Sequence, residues 1–122
     1  YHDDVTKGYD GVMRTLCLYI IELSLLDGNR FLQYSPSLIA GAALVTASHV
    51  LGEPCWTKTI ADHCTGLSLT DVQSCSNELI ALMREAKIIP ELIVLEKYSY
   101  ARFEGVSTLD IPNGFPEIGL DH

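Results

Sequence analysis

The side chains most able to do chemistry in this chain are His49, Cys55, His63, Cys64 and Cys75. Thiolate and imidazole are preferred zinc ligands, and structural zinc sites usually take them as closely spaced pairs separated by a longer loop. Here the close pair is His63-Cys64, and adjacent residues on a helix project about 100° apart. Cys17 and Cys75 fall on apolar faces, where cysteine behaves as a small buried hydrophobe. Covalent catalysis is the rival chemistry, with Cys55 as nucleophile, His63 as base and Asp62 as orienting group. One Cys, one His and one Asp in a short stretch arise readily by chance. The sequence has no Gly-x-Ser-x-Gly elbow, phosphate-binding glycine loop or His-Glu-x-x-His helix. The cysteines are therefore read as packing, and no catalytic, cofactor or metal residue is assigned. A thiol or metal hydrolase would need activity lost on Cys55→Ser, or stoichiometric zinc in the purified protein.

Carboxylates give no stronger signal. Asp3-Asp4 lies in a polar lead-in, and Glu78 and Glu85 share one face of a helix, where a solvated face is the expectation. Trp56, the lone tryptophan, follows the chain break at Pro54. It is read as an apolar anchor pinning a short helix to the core. The functional alternative is a partner-binding hot spot, which makes Trp56 the candidate partner-binding residue.

The elements that must position these residues centre on residues 30–52. Ser35 is a natural N-cap, Pro36 suits the first helical position, and Gly52 can adopt the left-handed conformation that ends a helix. Between them no residue is formally charged and apolar side chains point in every direction. A helix without a polar face must be surrounded by other helices. Ala40-Gly41-Ala42-Ala43 would let neighbouring backbones approach closely. A membrane span is disfavoured, because only about ten consecutive positions (38–47) are convincingly apolar and a span needs roughly twenty.

Around this post the pattern predicts further helices. Residues 12–26 carry Met13, Leu16, Ile20 and Leu23 at helical steps, with Leu18, Ile21 and Leu25 on a second face, so that helix is expected to be mostly buried. Asp27-Gly28-Asn29 ends it. Residues 56–65 predict a short helix stopped by Gly66. Thr70 and Gln73 have capping-box spacing, and the helix after them places Val72, Cys75, Leu79, Leu82 and Ala86 on one face. Pro90 closes that helix and opens the last, which runs to about residue 101 and buries Leu92, Val94, Leu95 and Tyr98. From Phe103 onward Gly and Pro indicate an irregular tail. No stretch alternates with period two long enough for a sheet. The fold class is all-α: five helices around one apolar central helix.

At 122 residues the chain fits a single domain. Hydrophobic content is 48% but aromatic content only 8%, so the core is mostly aliphatic. A net charge of −8 opposes the counterion release that drives nucleic-acid binding, which argues against a direct DNA or RNA role. Four cysteines without Cys-x-x-Cys spacing, no signal peptide and no Asn-x-Ser/Thr acceptor fit an intracellular, reducing compartment. Opening on Tyr1 rather than Met suggests an excised or processed piece.

Two motifs then resemble a known family. Leu23-Ser24-Leu25-Leu26-Asp27, followed by Tyr34-Ser35-Pro36-Ser37-Leu38-Ile39-Ala40-Gly41-Ala42-Ala43, is similar to the second cyclin box of mitotic, A/B-type cyclins. Trp56 before a short helix ending at Thr65-Gly66, an amphipathic helix opening with Thr70, and Glu96-Lys97-Tyr98 before Gly105-Val106-Ser107 follow in the expected order. Leu67 departs from the pattern, standing where these cyclins usually place an aromatic residue. The resemblance implies a lead-in over residues 1–11, a C-terminal cyclin-box domain over 12–109 and an irregular tail over 110–122. The first helix of the box and the whole first box would lie outside this sequence, leaving an exposed apolar groove. It further implies a regulatory subunit, not an enzyme, that binds and activates a cyclin-dependent kinase mainly through that absent first box. Other cell-cycle proteins are the further partners it implies, in nucleus and cytoplasm. A cyclin-fold scaffold that binds proteins without activating a kinase is the alternative.

Overall fold

A helix with no charge from end to end sits at the centre of the molecule. The computed structural model describes residues 11–54, 57–89, 93–100 and 105–112. Among these are five α-helices, one 3-10 turn and no strand: α1 (Gly11–Leu26), α2 (Pro36–Val50), α3 (Lys58–His63), α4 (Leu69–Ala86), α5 (Ile93–Ser99) and the 3-10 turn Val106–Thr108. The all-α expectation holds. No helix among the described residues is long and apolar enough to cross a membrane.

The central helix α2 starts and stops where its sequence dictates. The Ser35 hydroxyl accepts a hydrogen bond from the Leu38 amide at 3.2 Å, and Pro36 occupies the first turn. At the other end Gly52 takes φ +75°, so that the Gly52 amide reaches the His49 carbonyl and the Glu53 amide the Ser48 carbonyl. This double bond pattern ends a helix only when the residue after the cap is left-handed, which glycine tolerates best. Between the caps, residues 41–48 are buried without a break. α4 and α1 pack against α2 most extensively, and α3 packs against it as well.

Small residues set the spacing. A Cβ at Gly41 would stand 3.0 Å from Cys64 Sγ and 3.3 Å from Leu67 Cδ1, so glycine lets the end of α3 approach α2. The Ser76 hydroxyl of α4 donates to the Ala42 carbonyl at 3.3 Å, and the Cys17 thiol of α1 points at the Ala43 carbonyl, 4.0 Å away. Two neighbouring helices thus touch the backbone of α2 at adjacent residues.

Several expectations are corrected. The N-cap of α4 is Ser68, not Thr70: its hydroxyl accepts from the Asp71 amide at 3.3 Å, and Thr70 lies within the first turn. With Ser68 as the cap, Asp71 is the third residue of that turn, where its carboxylate complements the positive end of the helix dipole. The second face of α1 is not buried. Leu18 is 47% and Leu25 74% exposed, while Ile21 between them is partly buried against the core. Finally, the segment after Phe103 contains order. Gly105, at φ +60°, opens the 3-10 turn, Val106 is fully buried, and the Ser107 hydroxyl donates to the Leu95 carbonyl at 2.6 Å. That turn packs on α5 and α1.

α3 spans six residues rather than the ten expected. Its cap is the Thr57 hydroxyl, which accepts from the Ile60 amide, and it ends at Cys64 before the left-handed Gly66. In α5 Tyr98 is buried and Leu95 partly so. The expectations for Leu92, Phe103 and the side chain of Val94 fall outside the described residues.

Candidate functional site

The thiols can be placed first. Cys17, Cys64 and Cys75 are unpaired and buried within one hydrophobic cluster with Leu16, Ile20, Leu44 and Leu79. Burial pushes the Cys17 thiol up to about 12. Cys75 also rises to about 12, through burial and then the nearby charge of Glu78. Burial raises Cys64 as well. These thiols are neutral near pH 7, so they lack the thiolate character that nucleophiles and metal ligands need.

The proposed ligands and triad members are not gathered. Among the described residues no group of three His, Cys, Asp or Glu side chains converges closely enough to hold a metal ion. His49 sits in the last turn of α2. Asp62 is exposed and pairs with Lys58 one turn earlier at 3.3 Å. Cys55, Trp56 and the side chain of His63 lie outside the described residues, so the candidate partner-binding role of Trp56 is not placed.

A different cluster emerges from residues the sequence left as solvated. Glu78 and Glu85 of α4 do share a face, but both reach Arg30 in the α1–α2 turn. Arg30 Nε donates to Glu78 Oε1 at 2.8 Å and Nη1 to Glu85 Oε1 at 2.9 Å, with Asp27 Oδ2 3.8 Å away. The guanidinium holds the Glu85 carboxyl below the usual carboxylate range, and the same bonds raise Arg30. Three carboxylates around one cation leave this corner net negative. A second tie joins Lys97 of α5 to Glu22 of α1 at 2.8 Å, with the ammonium 5.0 Å from the Tyr98 ring centroid. Nothing local in the sequence announces either pairing.

Beside the Arg30 cluster lies a cavity of about 280 Å³ between the C-terminal ends of α1 and α4. Leu23, Leu26, Leu82 and Ile89 line it with apolar surface, while Asp27 and Glu85 supply its polar atoms. It is half-open to solvent at a place where Leu26 and Ile89 are both exposed.

The fold is thus a helical module with an uncharged central helix, neutral core thiols and an apolar cleft beside acidic side chains. Residues 4–112 match the family described as the cyclin C-terminal domain, and the chain belongs to that family. It is 36% identical to human cyclin-A1 over 97 residues, which is 80% of this chain and 21% of that protein. To Xenopus laevis cyclin-A1 it is 34% identical over 104 residues, 85% of this chain and 25% of the relative. To the G2/mitotic-specific cyclin-A of Drosophila melanogaster it is 32% identical over 98 residues, 80% and 20% respectively. The chain therefore spans about a fifth to a quarter of the length of these cyclins. Cyclins are cell-cycle proteins and non-catalytic regulatory subunits, and the domain described above is related to that of cyclin A.

Proposed function

We propose that this domain is the C-terminal half of the cyclin core in a protein that binds and activates a cyclin-dependent kinase. The kinase would be gripped mainly by a first box upstream of residue 1, while this second box completes the tandem architecture and offers surface to other cell-cycle proteins. The observation that carries the reading is the kinship with A-type cyclins across the whole packed region, α1 to the 3-10 turn. The enclosed post α2 supports it physically, since a rigid uncharged core suits a platform that recognises proteins. Nucleus and cytoplasm are the compartments this role requires.

Co-purification with candidate kinases tests the proposal, comparing the 122-residue chain with a form extended toward its N-terminus. Binding and histone-kinase activity are expected with the extended form only. If the extended form binds partners yet leaves kinase activity at its basal level, the scaffold alternative replaces this one.

A further inference from the structure

Residues 105–112 run as a strap across three helices. The strap begins beside α5, where the Gly105 amide donates to the Tyr100 carbonyl at 3.1 Å and the Ser107 hydroxyl to the Leu95 carbonyl at 2.6 Å. Its 3-10 turn then packs on α1 with Val106 fully buried, and Leu109 and Ile111 lie against the same core. The far end reaches the C-terminal end of α4. There Arg84 Nη1 donates to the Ile111 and Pro112 carbonyls, both at 3.3 Å, and Lys87 Nζ donates to the Leu109 carbonyl.

The two ends are held differently. Towards α5 the bonds are local and tie the strap to the helix it follows. At α4 the hydrogen bonds come from two exposed cations to neutral carbonyls, an exchange that water can reverse at little cost. α5 itself has seven residues, too few to stay helical unaided, so it depends on the strap and on α1. On α1, Lys97 Nζ pairs with Glu22 Oε1 at 2.8 Å, and the Tyr98 ring packs on Tyr19 with centroids 5.2 Å apart. That joint carries a flaw. The Tyr19 hydroxyl is buried with no hydrogen-bond partner among the described residues, a penalty that water would relieve once α5 lifts.

We propose that α5 and the strap form one opening unit, a flap latched to α4 by Arg84 and Lys87, which parts from α1 while α1 to α4 stay folded. Opening breaks the Lys97–Glu22 pair and uncovers the Tyr19 face of α1. A cooperative unit of this kind opens more often than the core, and its amides exchange hydrogen together. The device needs neither kinase nor partner, so it stands or falls apart from the function proposed above.

Native-state hydrogen exchange, read by NMR on the full 122-residue chain, tests it. The amides of Tyr98 and Ser99 in α5 and of Thr108 and Leu109 in the strap should share one degree of protection. They should exchange at least about a hundredfold faster than Leu44 and Val45 of α2. Arg84→Met combined with Lys87→Met removes the latch donors and keeps their apolar stems. Both segments should then exchange about tenfold faster, by the same factor, with α2 unchanged. Tyr19→Phe removes the unpaired hydroxyl and should slow both segments about fivefold. A strap that speeds up alone overturns the proposal, because α5 then does not move with it. So does a double variant in which neither segment changes, or in which α2 accelerates equally. Wild-type α5 amides as protected as those of α2, or Tyr19→Phe exchange identical to wild type, would likewise show that α5 stays seated.

Discussion

At Gly41 a missing side chain decides how closely two helices meet. The position a Cβ would occupy is 3.0 Å from Cys64 Sγ, tighter than ordinary contact, although alanine would improve helix propensity by about 1 kcal/mol. The two effects oppose each other, and in a packed interior the clash should win. Gly41→Ala is therefore expected to destabilise the chain by about 1 kcal/mol. The same change in a Cys64→Ala background, where the sulfur is gone, should be neutral or stabilising. Urea unfolding of the four-member cycle reads the coupling directly, and simple additivity would contradict the contact. The same residue scale explains the cysteines. Each is a small apolar filler whose neutrality follows from burial, and Cys64 is the one whose sulfur limits its neighbour.

Among the elements, α4 offers the sharpest test of how a helix begins. With Ser68 as the true cap, Ser68→Ala should cost about 1 kcal/mol, while Thr70→Ala, exposed in the first turn, should change stability by only a few tenths. Guanidinium unfolding midpoints of the two variants settle which hydroxyl matters. α2, by contrast, was legible from sequence because its caps, its proline and its lack of a polar face all point to one arrangement. The face of α1 misled for a physical reason. Leu18 and Leu25 have the spacing of a buried stripe, yet periodicity marks only which residues share a side, not whether anything covers it. The Arg30 clamp was invisible for a second reason. Its partners stand 48 and 55 residues away, and a carboxylate on a helix face reads the same whether it meets water or a guanidinium. Since Ser68 and Thr70 are both competent caps, local pattern alone could not choose between them. The apolar cleft at the ends of α1 and α4 had no signal of its own, because it depends on tertiary packing.

For the molecule as a whole, buried acids of very weak strength set an alkaline limit. Cys17 and Cys75 rise from an ordinary 9.0 to about 12, and burial lifts Tyr19 from 10.0 to about 12. Above its unfolded value each group releases its proton more readily in the unfolded chain than in the folded one. Stability is then fully present below about pH 9 and falls as pH climbs toward 12. The urea midpoint should accordingly decline steadily across that interval, with Cys17, Cys64 and Cys75 unreactive to iodoacetamide until unfolding begins. A flat profile would show that these groups are not enclosed as described. Held at neutral pH, the same burial keeps these core groups uncharged.

The paired grips on α2 have a mechanical consequence. With the Ser76 hydroxyl seated on the Ala42 carbonyl and the Cys17 thiol beside that of Ala43, the axle cannot spin by even one residue without stripping both donors of their acceptors.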